Sequence, residues 1–275
     1  MINILLNGAN GNMGKALCNY IKDSANFTLL YGIDKENSSS YNDITKKPDV
    51  IIDFSTPSAT FIALDYAIKN LVPMVIATTG FSFDEENRIK EFSEAIPIFK
   101  SSNMAYGINI FSNMVAELAQ KLSNVDIEII EKHHRNKVDS PSGTALMIAD
   151  NINKACNNRY SYAFSKNISN RTFKDFTNSS HSVNCGKFNC SSGYKKTDTS
   201  SKSYNQIGFS CIRGGSLVGE HTVLFIRENE SYELTHTAYS RNIYVEGALK
   251  AAEFIITKKN GLYGMVDLWF FNKTF

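Results

Sequence analysis

The sequence predicts an α/β protein: first a Rossmann-type doubly wound parallel sheet, then a second, α+β domain with a mostly antiparallel or mixed sheet. Three observations predict it. Short apolar strands alternate with helices through the first hundred residues. A glycine-rich turn, Gly8-Ala-Asn-Gly11-Asn-Met-Gly14, lies between the first strand and the first helix. Beyond residue 206 the alternation stops, and three strand-like runs follow one another across short turns.

Residues 2–7 form a short apolar strand. Met13, Ala16, Leu17, Tyr20 and Ile21 recur at helical spacing and place a helix over 13–22. Phe27 to Ile33 and Val50 to Phe54 read as the second and third strands, and Pro57 and Ser58 open a helix that runs to about Lys69. Met74 to Ala77 is a fourth strand, followed by Thr78-Thr79-Gly80; residues 84–95 read as a helix and Ile96 to Phe99 as a fifth strand. A helix then spans roughly 107–122, and Val125, Ile127 and Ile129 alternate as a strand does. Ser140 is suited to cap the next helix, with Pro141 at its first position and an end near Cys156. Residues 157–206 are rich in Asn, Ser and Lys and hold eight Lys/Arg against two Asp. They read as a long, mobile surface loop, with a basic flap over an acidic substrate as the alternative. Ile207 to Arg213, His221 to Arg227 and Tyr232 to Ser240 are the three late strands, with Gly214-Gly215 and Glu228-Asn229 in the turns, and a last helix runs from about Val245 to Lys258.

A chain of 275 residues is long enough for a sizeable core and for two domains. Hydrophobic residues at 43% and charged residues at 20% are ordinary for a globular protein. A formal net charge of +2 gives no push toward nucleic acid or membrane. No run of 18 or more apolar residues occurs, so a transmembrane helix is not expected, and the opening Met-Ile-Asn-Ile-Leu-Leu-Asn-Gly reads as a strand rather than a signal peptide. Cys18, Cys156, Cys185, Cys190 and Cys211 are odd in number and form no CxxC pair, so free thiols in a reducing, cytoplasmic compartment are expected. Cys185 and Cys190 lack a matching ligand pair, and no metal is expected.

Glycines between a strand and a helix let the backbone turn sharply and approach a pyrophosphate, which the helix N-terminus then receives. Asp34 lies 20 residues past Gly14, at the end of the second strand, where a carboxylate meets ribose hydroxyls. Asp34 favours NAD, whereas Lys35 beside it could receive a 2′-phosphate, so either nicotinamide cofactor is allowed. Thr78-Thr79-Gly80 and Ser101-Ser102-Asn103 follow strands of the same sheet and are placed to hold a nicotinamide ring.

The other informative stretch is residues 131–145, which crowds His133, His134, Arg135 and Lys137 before a helix start. Adjacent residues of an extended segment point to opposite sides, so the two histidines make a poor metal chelate and read as two separate functions. Histidine is suited to exchange a proton near neutral pH. Gly143 and Thr144 offer N–H groups, and Thr144 a hydroxyl, to an anion such as a carboxylate or phosphate, while Asp139 can pair with a neighbouring cation. A serine hydrolase built on Ser142 is disfavoured by the lack of a nucleophile elbow. A hydride carrier, a proton donor and an anion cradle together imply reduction of a C=C or C=N bond in a small acid.

These residues resemble the 4-hydroxy-tetrahydrodipicolinate reductase (dihydrodipicolinate reductase) family of the diaminopimelate–lysine pathway. The resemblance rests on its Glu-x-His-His-x-x-Lys-x-Asp-x-Pro-Ser-Gly-Thr-Ala signature, matched from Glu131 to Ala145, and on Gly8 to Gly14, Asp53-Phe54-Ser55, Thr78-Thr79-Gly80, Ile207-Gly208-Phe209, Val218-Gly219-Glu220-His221-Thr222 and Gly261-Leu262-Tyr263 with Met265. It covers nearly the whole chain except about 157–206. It implies that His133 donates a proton, that Lys137 is the second catalytic group, that His134 contacts substrate, and that Gly143 and Thr144 bind a substrate carboxylate. The dinucleotide contacts fall on Gly8, Ala9, Asn10, Gly11, Asn12, Met13, Asp34, Ala77, Thr78, Thr79, Ser101, Ser102, Asn103 and Met104. The implied domains are a dinucleotide-binding part, 1–104 with 242–275, and a substrate-binding and tetramerisation part, 105–241, which a domain movement brings together. The implied reaction is NADH- or NADPH-dependent reduction of a small cyclic dicarboxylate by a homotetramer. The chain departs from the family in having Ala77 where glycine is common and Asn103-Met104 where Asn-Phe is common. Two other readings are compatible with parts of the sequence: a nucleotide-binding regulatory protein on the same fold, which has no need of a proton donor, and a related dehydrogenase of an amino or oxo acid.

Overall fold

The computed structural model describes residues 1–34, 41–164 and 205–271. Lys35, Cys185, Cys190 and positions 165–204 of the 157–206 segment lie outside the described residues. The chain divides into two compact units, Met1–Phe111 with Ala238–Phe275, and Ser112–Thr237. No helix of the described residues is long and apolar enough to cross a membrane.

The first unit is built on β1 (Ile2–Asn7), α1 (Asn12–Ile21), β2 (Phe27–Ile33), β3 (Val50–Asp53), α2 (Pro57–Asn70), β4 (Met74–Ile76), α3 (Phe83–Phe92) and β5 (Pro97–Lys100). After the second unit come α6 (Asn242–Ile255), β11 (Gly261–Tyr263) and α7 (Met265–Phe271). The strands form one sheet in the order β11-β5-β4-β3-β1-β2, and its pairs are parallel. Helices cover both faces, which is why the strands read as continuous apolar runs rather than alternating ones. Ile4, Leu6, Val50, Ile52, Val75 and Phe99 face Leu17 and Ile21 of α1 and Val245, Ala248 and Phe254 of α6. Leu5, Ile51, Met74, Ile76 and Ile98 turn the other way, onto Ala63, Leu64 and Ala67 of α2 and Ile89 of α3. Thr56 caps α2 ahead of Pro57, and Ser82 and Glu85 form a reciprocal capping box on α3. The edge strand β11 and the terminal helix α7 are additions to the elements expected from the sequence. Both are short, three and seven residues, below the length at which periodicity is informative.

The second unit is entered along α4 (Tyr106–Lys121) and contains β6 (Asp126–His133), α5 (Gly143–Ala155), β7 (Ser161–Phe164), β8 (Gln206–Arg213), β9 (Gly219–Ile226) and β10 (Ser231–Ala238). Its sheet is mixed, in the order β10-β9-β6-β8-β7, with β6 antiparallel to β9 and parallel to β8, and β7 parallel to β8. One expectation is corrected here. Residues 157–206 are not loop throughout, because Ser161–Phe164 pairs with Gln206–Phe209 and Tyr162 and Phe164 stack on Phe209. The mixed sheet agrees with the antiparallel or mixed sheet expected, and the Gly214-Gly215 turn joins β8 and β9, which are separated by β6.

Candidate active site

In the first unit the glycine turn, residues 77–80 and residues 101–104 all follow the carboxyl ends of parallel strands, the edge at which such sheets bind ligands. Gly8 has φ +85°, and a Cβ there would collide with the Phe54 carbonyl; a Cβ on Gly14 would collide with the carbonyls of Gly8 and Ala9. Backbone thus packs on backbone, and the turn is held by Gly8 and Ala9 N–H donating to the Ile33 carbonyl at 2.8 and 3.1 Å. Gly11 is the N-cap of α1 and brings no side-chain cap, so Asn12 and Met13 open the helix without one. Asp34 accepts from the Asn10 N–H at 2.9 Å, which places its carboxylate beside the turn. This glycine-lined cradle, with an acidic side chain at the end of β2, fits a dinucleotide.

The remaining nucleotide candidates divide. Thr78 is buried and its Oγ1 accepts from the Ser55 N–H at 2.9 Å, whereas Thr79 and Ser102 are exposed and Ala77 packs against the core. Ser101 donates to the Asn103 carbonyl, and Asn103 Oδ1 accepts from the Ala105 N–H. The Met104 side chain belongs to the hydrophobic core. Beneath these loops lies the fully buried Asp53, which accepts from Asn7 Nδ2 at 2.8 Å, from Thr60 Oγ1 at 2.6 Å and from Ser55 Oγ. Burial raises its carboxyl above the usual range, and the bonds from Ser55, Thr60, Thr78 and Asn7 oppose the rise.

In the second unit the sheet register assembles a polar cluster. On the inward face of β6 come Ile127 and Ile129, then Glu131 and His133, all buried. Their partners change in step: Ile129 pairs with Phe209 and Val223, Glu131 with Cys211 and His221, and His133 with Arg213. Apolar rows therefore give way to an ionic row at the carboxyl end of the strand. Glu131 Oε1 meets Arg213 Nη2 at 2.6 Å, and both carboxylate oxygens accept from the Ser142 N–H at 3.1 Å. His133 Nδ1 lies 3.5 Å and His221 Nε2 3.8 Å from Glu131 Oε2. The two imidazoles meet edge-on with centroids 5.1 Å apart, and His221 Nε2 is 3.2 Å from Ser142 Oγ.

The charge states follow from these contacts. Burial pushes His133 below the ordinary histidine value; Glu131 and Asp139 pull it up, and Lys137 and Arg213 press it further down. His221 is driven to about 3, first by burial and then by its neighbour His133. Burial alone would raise the Glu131 carboxyl, but the bonds from Ser142, Arg213 and Cys211 hold it below the usual range. The Cys211 thiol is pushed up to about 11, chiefly by burial. Ligand atoms of Glu131, His133 and His221 lie within 4.8 Å of one another. A cation does not suit them, because the Arg213 guanidinium already occupies the carboxylate.

The helix start differs from the expected one. Ser142, not Ser140, is the N-cap of α5, its side chain accepting from the Ala145 N–H, and the helix begins at Gly143 rather than Pro141. The reason is Glu131, which binds the Ser142 N–H and fixes where the helix opens. Gly143 and Thr144 are then its first two residues, with Gly143 exposed. Lys137 pairs with Asp139 at 2.9 Å, and His134, half-buried, lies in the turn after β6 whose carbonyl accepts from the Lys137 N–H. His133, Lys137, Gly143 and Thr144 thus come from one continuous segment. The structure adds Glu131, Ser142, Arg213 and His221 to the site. Glu131 and Ser142 lie in the 131–145 signature and His221 in the 218–222 motif, and the alternation of Ile127, Ile129, Glu131 and His133 is the sequence signal that a carboxylate faces inward beside the histidine.

Two family descriptions cover the chain: "Dihydrodipicolinate reductase, N-terminus" matches residues 2–104, and "Dihydrodipicolinate reductase, C-terminus" matches residues 107–269. The chain belongs to the dihydrodipicolinate reductase family. A 4-hydroxy-tetrahydrodipicolinate reductase of Caldanaerobacter subterraneus subsp. tengcongensis is 39% identical over 275 residues, covering 98% of each chain. One from Clostridium tetani is 37% identical over 274 residues, covering 96% of each. Among solved structures, a dipicolinate-bound dihydrodipicolinate reductase from Paenisporosarcina sp. TG-14 has the same fold, with a TM-score of 0.70 at 20% identity, covering 96% of this chain and 97% of that one.

Proposed function

We propose that this protein reduces 4-hydroxy-tetrahydrodipicolinate to tetrahydrodipicolinate, with loss of water, in diaminopimelate–lysine biosynthesis. The observation that carries the reading is one segment, 131–145, that sets the buried imidazole of His133 just before a helix opened by Gly143 and Thr144, in a chain matched end to end by the reductase family. The relatives' names and the dipicolinate held by the structural neighbour agree with a cyclic dicarboxylate. NADH or NADPH supplies the hydride when bound. Gly8, Ala9, Asn10, Gly11, Asn12 and Met13 would receive its pyrophosphate, Asp34 its ribose, with Lys35 beside it, and Ala77 to Thr79 and Ser101 to Met104 its nicotinamide end.

His133 delivers the proton from Nε2, since Nδ1 faces Glu131. Burial keeps that ring below the ordinary histidine value, and an arriving dianion favours its protonated form. Gly143 and Thr144 take one substrate carboxylate and His134 assists, while Lys137, steadied by Asp139, is the second catalytic group. A homotetramer in the cytoplasm is part of the same proposal, supported by the family resemblance and by the free thiols Cys18, Cys156 and Cys211. Sedimentation at assay concentration tests the tetramer.

The test supplies pyruvate, aspartate semialdehyde and the preceding synthase, and follows loss of reduced-nicotinamide absorbance. Oxidation of NADH or NADPH is expected. His133→Gln and Lys137→Ala should each slow turnover by about 10²- to 10⁴-fold while NADH affinity changes little. Intact turnover in both variants overturns the assignment.

A further inference from the structure

We propose that Glu131 is the positioning residue of this site, one buried carboxylate that holds both the His133 ring and the opening turn of α5 in register. The proposal rests on the reading of His133 as the proton donor. Glu131 is fully buried, yet the row beside it on the same face is apolar, with Ile129 between Phe209 and Val223. A buried ion pair adds little net stability over well-packed apolar residues, so the Glu131–Arg213 pair is not explained by stability alone.

Its contacts explain it. One carboxylate touches the last residue of β6 and the residue that caps α5. Any displacement of Glu131 therefore moves the proton donor and the Gly143-Thr144 turn together. His221 completes the frame without adding charge: it stays neutral, packs edge-on against His133 and bonds the Ser142 hydroxyl. Gly219 leaves the far edge of the ring open, since a Cβ there would come within 3.1 Å of His133 Nε2.

The separation of 3.5 Å between Nδ1 and Oε2 is an ion-pair distance rather than a hydrogen bond, and among the described residues Nδ1 has no other partner. The carboxylate thus acts mainly on the imidazolium, the form that donates. The charged and titratable groups facing His133 are Glu131 on its own strand, Arg213 from β8, His221 from β9, and Lys137 and Asp139 from the turn that follows. Among these, Glu131 and Asp139 favour the protonated ring, and Glu131 is the buried one.

The experiment titrates the His133 imidazole by NMR in the wild type, Glu131→Gln and Glu131→Asp, and measures kcat/KM against pH in parallel. His133→Gln assigns the resonance. Glu131→Gln should lower the His133 midpoint by about one pH unit. It should move the alkaline fall of kcat/KM by the same amount, about a tenfold loss of rate above both midpoints. Glu131→Asp, which keeps the charge, should recover most of that shift. An unmoved midpoint and profile in Glu131→Gln overturns the inference, even if the rate falls. The wild type gives a second test that does not depend on any variant folding: neutral His133 must carry its proton on Nδ1, and a resonance pattern with the proton on Nε2 overturns the inference. If instead His133→Gln turns over normally, the reading of the donor fails, whatever the titration shows.

Discussion

Acid should loosen the second unit through His221. The unfolded chain holds this ring near its ordinary 6.5, whereas the native protein pushes it to about 3, because it is buried and faces His133. A depressed native value means that the stabilising contribution is present above about 6.5 and is lost as pH falls toward 3. Between pH 7 and pH 5 the unfolded ensemble takes up about 0.7 of a proton at His221 and the native state takes up almost none. The resulting loss is about 2 kcal/mol, and it hardly depends on the native value as long as that lies below about 4. His133 and His236 are lowered as well and add in the same direction, so the quantity to measure is a difference between proteins. Urea unfolding of the wild type and of His221→Gln should be followed at several pH values by hydrogen exchange of the β6 and β9 amides. The chain's single tryptophan, Trp269, lies in α7 of the other unit, so its fluorescence would report on the wrong half. The wild type should lose about 2 kcal/mol more than the variant over this range. Parallel slopes would refute the argument that this histidine is buried neutral.

Three further outcomes are expected. Gly14→Ala drives a methyl into the carbonyls of Gly8 and Ala9 and should cost the first unit about 1–3 kcal/mol, with weaker NADH binding by calorimetry. Asp53→Leu removes the acceptor that Asn7 Nδ2 and Thr60 Oγ1 share, leaving Asn7 on Ser55 Oγ and the Ala59 carbonyl and Thr60 on the Thr56 carbonyl, and should destabilise that unit by about 0.5–1.5 kcal/mol for each lost bond, read by Trp269 fluorescence in urea. Ser142→Ala removes the cap of α5 and the partner of His221; it should cost the second unit about 1 kcal/mol and raise KM for the dicarboxylate more than KM for NADH.

The nucleotide half was legible because its signals are local. A strand, three glycines and Asp34 declare the turn by residue type and spacing, although its glycines are pinned partly by residues further along, since a Cβ on Gly8 meets the Phe54 carbonyl and a Cβ on Gly14 the carbonyls of Gly8 and Ala9. The polar cluster was legible only in part. His133 and the Gly143-Thr144 turn share one segment, but Arg213 and His221 arrive from strands about eighty residues on, and no pattern in the sequence announces that β6 separates β8 from β9. The shift of the α5 cap from Ser140 to Ser142 has the same origin. Both serines fit the local rule for a cap, and a carboxylate on another element decides between them. β7 was hidden by composition, since four strand residues sit at the edge of a polar stretch.

The path of the chain has a consequence for synthesis. On one face of the parallel sheet, Val245, Ala248, Leu249, Ala251, Ala252, Phe254, Ile255, Met265 and Leu268 supply much of the packing, and they are made last. A nascent chain that has reached residue 111 therefore holds the glycine turn and α1 but lacks α6, α7 and β11, so the face bearing Ile4, Leu6, Val50 and Ile52 is covered only in part. The inserted unit, whose sheet is complete by Ala238, leaves the ribosome ready to fold before the unit that began first. Cutting the chain at residue 111 would accordingly yield a fragment with an open apolar face, soluble only when residues 238–275 are supplied in trans.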